Sequence, residues 1–133
     1  MEISVHTDGG ARGNPGPAAI GVVIDGAGYG AYIGETTNNV AEYKAVISAL
    51  TTCKKNTGAN AQQADITIHI DSQLIARQIT GKYKIKLPHL QELCDEARSL
   101  ITNFHSVRFV EIPRTQNAAA DALVNSTLDN RYI

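Results

Sequence analysis

The stretch that decides the fold is ITIHIDSQ, residues 66–73. Isoleucine recurs at every second position with polar residues between, which is the pattern of a β-strand. From Ser72 to about Thr80 the pattern changes to that of a short helix, and Gly81 stands where helices commonly end. A strand that leads directly into a helix predicts a parallel crossover, and therefore a sheet covered by helices.

The segment before this strand begins with an antiparallel meander. Strands are predicted over Glu2 to Asp8, Ala18 to Ile24 and Gly28 to Gly34. Asp25-Gly26 between the last two is a hairpin signal, and the glycines and prolines of 13–17 mark a loop after the first strand. These three strands are expected to pair with their chain neighbours.

The rest of the chain alternates helices with strands. Helices are predicted from Thr36 to about Lys55, from Pro88 onward and from Asn117 to Leu128, with a fifth strand over Val107 to Ile112. This order predicts an α/β fold in which a mixed five-stranded sheet, with three antiparallel strands plus parallel strands, carries helices on both faces. We expect a single domain over residues 1–133.

Composition limits the class of protein. The 133 residues are 43% hydrophobic, as in a packed globule, and the formal net charge of -1 means that any basic surface must be local. Cys53 and Cys94 fall on apolar faces of predicted helices, where buried free thiols are expected rather than a disulfide. No apolar run is long enough to cross a bilayer and the N-terminus is unlike a signal peptide, so we expect a monomeric, cytoplasmic protein with no membrane partner.

Four acidic residues stand where predicted strands end or helices begin: Asp8, Glu42, Asp71 and Asp121. If the first and fourth strands are adjacent and parallel, Asp8 and Asp71 lie side by side. Clustered carboxylates repel one another unless a cation is present, and donor sets made only of oxygen suit Mg²⁺ or Mn²⁺. A pair of such ions is the usual device for attack of water on a phosphodiester.

Each acidic residue alone has another interpretation. Asp8 could start a turn, Asp71 could cap the following helix, and Asp121 could lie on a solvated helix face. Glu42 could complete a capping box with Asn39. Only the set as a whole favours a metal site.

Four motifs, spread in order over essentially the whole chain, resemble those of type 1 ribonucleases H. They are His6-Thr7-Asp8-Gly9 with Gly13-Asn14-Pro15-Gly16-Pro17, then Thr37-Asn38-Asn39-Val40-Ala41-Glu42, then Asp71-Ser72-Gln73, and last Arg114, Asn117, Ala120 and Asp121. The resemblance implies a ribonuclease H-like fold and an endonuclease that hydrolyses the RNA strand of RNA–DNA hybrids. It implies 5′-phosphate and 3′-hydroxyl products, and two Mg²⁺ or Mn²⁺ ions per active site.

The same resemblance assigns roles to residues. Asp8, Glu42, Asp71 and Asp121 would be the catalytic and metal-binding residues: Asp8 would bridge the two ions, Glu42 and Asp71 would hold one, and Asp121 would help to hold the other. The polar residues expected to contact the hybrid, including the 2′-hydroxyl groups of its RNA, are Asn14, Asn38, Asn39 and Gln73.

Three further substrate contacts follow from the resemblance or from residue size. Thr37 would bind a DNA phosphate. Gly9 and Gly10 are small enough for a strand to approach their backbone closely. The segment before the last acidic residue lacks the histidine that some family members use, and Arg114 could bind phosphate there or simply pair with a nearby carboxylate.

Larger relatives carry a basic helix where this chain has only residues 81–87. Lys82, Lys84 and Lys86 would form a phosphate-contacting stripe if this segment were extended. Alternatively, they would be a charged edge that discourages strand pairing. His6 and His69 each precede an acidic residue by two positions and are expected to pack beside the site rather than bind metal.

Two other functions stay open at the level of the sequence. One is a module that binds RNA–DNA hybrids without cutting them. The other is a broader nuclease that also cuts double-stranded RNA.

Overall fold

A mixed five-stranded sheet forms the centre of the computed structural model, which describes residues 1–131. The strands are β1 (Glu2–Ala11), β2 (Gly16–Ile24), β3 (Ala27–Thr36), β4 (Asp65–Ile70) and β5 (Ser106–Glu111). The helices are α1 (Asn38–Thr57), α2 (Gln73–Ile79), α3 (Pro88–Ile101) and α4 (Ala118–Asn130). Short 3₁₀ turns lie at Gly58–Gln63 and Arg114–Gln116.

The strand order is β3-β2-β1-β4-β5, with antiparallel pairing from β3 to β1 and parallel pairing from β1 to β5. The predicted meander is therefore confirmed. Its β2–β3 turn has positive φ at Asp25 (48°) and Gly26 (85°), as a type I′ hairpin requires. In the β1–β4 pair Thr7 lies opposite Ile70, so Asp8 and Asp71 follow at the same level of the sheet.

Helices cover both faces of the sheet, as predicted. On one face α1 packs against β1 and β2, with α3 packed against α1, and this face holds the main core. Val5, Ile68, Val46 and Leu50 are fully buried there. On the other face α4 packs against β2 and β3, and it approaches β2 so closely that a Cβ on Gly21 would lie 2.2 Å from the carbonyl oxygen of Ala120.

Two helix starts differ from the capping alternatives raised by the sequence. Thr37, not Asn39, caps α1, because its Oγ1 accepts a hydrogen bond from the Val40 amide at 3.3 Å. Ser72, not Asp71, caps α2 through the Ile75 amide at 3.3 Å. The side chains of Glu42 and Asp71, which those caps would have used, are therefore free to line the cleft described below.

The lysine segment is not part of the sheet. Residues 81–87 form neither helix nor strand, so the alternative that its lysines protect a strand edge is wrong. Ile85 packs against the main core, whereas Tyr83 and Leu87 are exposed. The alternating stripe expected of an extended segment is therefore not formed.

Cys53 and Cys94 are buried and unpaired, as predicted. Within residues 1–131, no helix is both long and apolar enough to cross a membrane.

Candidate active site

An open cleft of about 500 Å³ lies where β1 and β4 run side by side, between the first turns of α1 and α4. All four acidic residues singled out in the sequence line it: Asp8, Glu42, Asp71 and Asp121. Asp8 lies on β1 and Asp71 directly follows β4, its parallel neighbour. Glu42 and Asp121 come from helices on opposite faces of the sheet. The fold thus brings together side chains that are far apart in the chain.

Asp8, Glu42 and Asp71 form the tightest part of the cluster, with one carboxylate oxygen of each lying within 4.8 Å of the others. The Gly9 amide fixes Glu42 by donating to its Oε1 at 2.7 Å. The other oxygen of Glu42 is buried and has no hydrogen-bond partner among the described residues. Such a set of closely spaced oxygens is suited to a divalent cation.

Asp121 lies in the first turn of α4 and lines the same cleft. Its Oδ1 is 3.6 Å from Nη2 of Arg114, and Asn125 donates from Nδ2 to its Oδ2 at 3.4 Å. Asp121 is thus one-third exposed and faces the cleft beside the other three carboxylates, rather than an isolated solvated helix face.

Burial and like charge make the cluster electrostatically costly without a cation. Burial raises the pKa of Asp8 to about 6, the charges of Asp71 and Asp121 add to the rise, and the charge of Arg114 opposes it. Burial, followed by the charge of Asp8, raises the pKa of Glu42 well above its ordinary value, against the opposing bond from Gly9. A divalent cation would favour both ionised forms and remove this cost.

Asparagines fasten the glycine-rich loop after β1 to the start of α1. Asn38 accepts from the Ala11 amide through Oδ1 at 2.9 Å, and Asn14 accepts from the Asn38 amide at 3.0 Å. Asn38 and its neighbour Asn39 also line the cleft. Because the side-chain oxygens of Asn14 and Asn38 are used within the protein, their NH₂ groups are the parts suited to donate to a ligand.

Gly9 and Gly10 both line the cleft, but for different physical reasons. A Cβ on Gly9 would lie 2.3 Å from the carbonyl carbon of Ala41, so this glycine is required by the packing of α1. A Cβ on Gly10 would meet only Val124, at 3.6 Å. Helix packing thus gives Gly9 a structural reason of its own, and close approach of a nucleic-acid strand to either glycine stays a prediction.

The remaining predicted contacts lie around the cleft rather than in its centre. Gln73 lines an adjoining groove that shares Asp71 and Arg114 with the cleft, so Arg114 borders both. Thr37 is occupied as the cap of α1. The three lysines are exposed beyond the groove, in the segment that follows α2: Lys82, Lys84 and Lys86.

Sequence reasoning missed one residue that lines the cleft and the role of another that contacts it. Arg12 lines it and pairs with Asp129 at 2.7 Å, but a lone basic residue in a loop has no periodic pattern to mark it. Asn117 is only 1% exposed and donates to Asp71; the motif contained it, but gave no sign of that contact. His6 and His69 stack with ring centroids 4.3 Å apart, consistent with the packing role expected of them.

This sheet order, together with a carboxylate cluster over its central parallel pair, defines the ribonuclease H-like class of α/β domains. A family model described as reverse transcriptase-like matches residues 6–127. The structure of LC11-RNase H1, isolated from compost by a metagenomic approach, in complex with an RNA/DNA hybrid is 44% identical, with a TM-score of 0.92. The match covers 98% of this chain and 99% of that one. The chain therefore belongs to the ribonuclease H type 1 family.

Two further relatives support this assignment. RNase H1 from Halobacterium salinarum is 40% identical, with a TM-score of 0.89 over 98% of this chain and 99% of that structure. The bifunctional protein Rv2228c of Mycobacterium tuberculosis is 35% identical over 136 residues. That match covers 97% of this chain but only 36% of the mycobacterial protein. The match to the full halobacterial Ribonuclease HI covers 96% of this chain and 65% of that protein. The chain thus spans about a third of one relative and just under two thirds of the other.

Proposed function

We propose that this protein is an endonuclease that hydrolyses the RNA strand of RNA–DNA hybrids and leaves 5′-phosphate and 3′-hydroxyl ends. The observation that carries the proposal is the approach of Asp8, Glu42 and Asp71 to within 4.8 Å of one another, with Asp121 in the same cleft. A module that only binds nucleic acid gains nothing from carboxylates crowded opposite phosphates, because they repel them. The cluster therefore favours catalysis over simple binding.

The donor set fits two hard divalent cations, Mg²⁺ or Mn²⁺. It consists of oxygen alone, and it includes a buried Glu42 oxygen that has no hydrogen-bond partner within the described part of the chain. In the proposal Asp8, Glu42 and Asp71 would hold one ion, and Asp8 and Asp121 would help to hold the other. When bound, the ions would polarise the scissile phosphate and acidify the attacking water.

The protein's own residues would position the hybrid around this centre. Arg114 is 78% exposed at its side chain, and its pair with Asp121 is long, so the pair is weak and the guanidinium is available to a phosphate. Asn38 and Asn39 line the cleft, and in the proposal their NH₂ groups would donate to 2′-hydroxyl groups. The exposed lysine segment after α2 would contact phosphates farther along the duplex.

The test is a cleavage assay with labelled RNA–DNA hybrid, duplex RNA and duplex DNA, each with Mg²⁺ and with Mn²⁺. We expect cutting of the RNA strand of the hybrid, and its loss in Asp8→Asn and in Asp71→Asn. Asp95→Asn makes the same chemical change on the exposed surface of α3 and should cleave like the unaltered protein. Hybrid binding without turnover in either metal would identify a binding module instead, and cutting of duplex RNA would broaden the substrate class.

We further infer that the 133 residues act as one monomeric domain in a reducing compartment such as the cytoplasm. Support comes from the single five-stranded sheet, and from two buried thiols that form no disulfide. Sedimentation measures the oligomeric state, and cell fractionation measures the location.

A further inference from the structure

Asn117 occupies the position immediately before α4 but does not use its side chain as a cap. Asparagine at this position usually accepts a hydrogen bond from an amide of the first helical turn. Here the side chain turns back toward the sheet. Its Nδ2 donates to the backbone carbonyl of Thr7 at 2.8 Å and to Oδ2 of Asp71 at 3.2 Å.

Asn117 contacts the side chain of one acidic residue of the cleft and backbone groups at or next to two others. It bonds directly to Asp71, and it bonds to Thr7, which precedes Asp8 in β1. Its own backbone carbonyl accepts from the Asp121 amide at 3.1 Å. Strand β1, the end of β4 and the first turn of α4 are therefore joined through Asn117.

The same contacts carry an energetic cost. Asn117 is 1% exposed, and its Oδ1 is buried with no hydrogen-bond partner in the part of the chain that the structure describes. An unsatisfied buried acceptor destabilises the folded state, and a small apolar residue would avoid that cost. What an apolar residue could not supply is a donor aimed at the Asp71 carboxylate.

We propose that Asn117 is a positioning residue that holds the Asp71 carboxylate, and with it the approach of α4 to β1, in the geometry that binds divalent cations. The proposal rests on the proposed function, since it takes the carboxylate cluster to be a metal site. Asn117 itself contacts neither cation nor substrate; it acts through Asp71 and Asp121. Partners that support metal ligands in this way commonly change metal affinity by about 10–100-fold when removed.

The test compares Asn117→Ala with Gln78→Ala in the full chain. Gln78 is a matched control because it is also a buried amide, 5% exposed. Its side chain accepts a 2.6 Å hydrogen bond from the Tyr43 hydroxyl, and it is not one of the residues that line the cleft. Asn117→Ser serves as a second variant in case the alanine variant does not fold. Mn²⁺ binding is measured by calorimetry, and kcat and KM for hybrid are measured as a function of metal concentration.

We expect Asn117→Ala to bind Mn²⁺ about tenfold more weakly or worse. It should need correspondingly more metal for half-maximal cleavage, while its KM for hybrid at saturating metal changes little. Gln78→Ala should lose stability but keep the Mn²⁺ affinity of the unaltered protein. A folded Asn117 variant with unchanged Mn²⁺ affinity, or a Gln78 variant with an equal loss of affinity, would overturn the proposal.

Failure of the proposed function would look different. If the unaltered protein binds Mn²⁺ but cuts no hybrid, the nuclease proposal fails while calorimetry still decides the role of Asn117. If the unaltered protein binds no Mn²⁺, both proposals fall.

Discussion

Asp8 and Glu42 are carboxylates that the fold buries against each other. Burial raises the pKa of Asp8 from its ordinary 3.8 to about 6. Because the folded state then binds this proton more tightly than the unfolded state, the associated stability is fully present below pH 4. It is lost as the pH rises through 6. The difference between the two pKa values corresponds to about 3 kcal/mol at neutral pH.

Replacing Asp8 by Asn should therefore stabilise the metal-free protein at pH 7.5, by about 2–3 kcal/mol in the free energy of unfolding. The gain should shrink strongly toward pH 4, where the Asp8 carboxyl is protonated in the folded state and close to half protonated in the unfolded state. Urea unfolding in the presence of a chelator at both pH values makes the measurement. Asp95→Asn serves as the exposed control, and a gain of equal size at pH 4 would contradict this explanation.

The chemistry of the cleft could be predicted from residue identity, but its supporting contacts could not. Four acidic residues in recognisable motifs sufficed to predict where charge would gather. The bond from Asn117 to Thr7 joins residues 110 positions apart, and it depends on how α4 seats against β1. No local pattern in a sequence encodes such a distance, which is why Asn117 carried no assigned role there.

The start of α1 shows where local rules fail at the level of a helix. Asn39 followed by Glu42 fits the capping-box pattern, but Glu42 instead accepts the Gly9 amide from β1 at 2.7 Å. The cap is Thr37, two residues earlier. A tertiary hydrogen bond at the site thus outweighs the local pairing, and it places a catalytic candidate where a cap was equally plausible.

The seating of α1 on β1 yields a second prediction, on Gly9 and its neighbour Gly10. A Cβ on Gly9 would lie 2.3 Å from the Ala41 carbonyl carbon, so Gly9→Ala must push α1, and Glu42 with it, away from the strand. We expect a loss of about 1–3 kcal/mol in the free energy of unfolding, together with a large fall in cleavage.

Gly10→Ala is the matched control, because the added methyl would meet only Val124, at 3.6 Å. Its free energy of unfolding should stay within about 0.5 kcal/mol of the unaltered protein. Thermal and urea unfolding of the two variants measure the difference. Equal destabilisation by both substitutions would show that helix packing is not what requires Gly9.

For the molecule as a whole, the alternation of strands and helices predicted the sheet and the layers on both its faces. The alternation did not predict which strands are neighbours. The sequence indicated only that Asp8 would lie beside Asp71 if β1 and β4 were adjacent. That adjacency is set by the burial of Ile66, Ile68 and Ile70 in the main core, which is a property of the assembled molecule. Net charge was a poor guide, because -1 averages an acidic cleft with a separate basic segment.

This separation of charge gives the last prediction, on Lys82, Lys84 and Lys86. All three side chains are exposed in the segment that follows α2. In the same segment Tyr83 accepts a 2.8 Å hydrogen bond from Arg77, which also pairs with Glu111. If the lysines contact phosphates, replacing all three by Gln should weaken hybrid binding and flatten its salt dependence. Each lost contact should reduce the slope of log K against log salt by about 0.7–0.9.

Lys54 and Lys55 in the last turn of α1 supply the control. Lys54 lies twelve residues beyond Glu42, which at 1.5 Å per residue places it roughly 18 Å along the helix from the cleft. Their replacement by Gln changes net charge but removes no proposed contact, so the slope should stay as in the unaltered protein. Catalysis at saturating hybrid should survive in both sets, because the lysines bind substrate without touching the scissile phosphate. A slope that the triple replacement leaves unchanged, or that both sets reduce alike, would reject the lysine segment as a hybrid contact while leaving the carboxylate site intact.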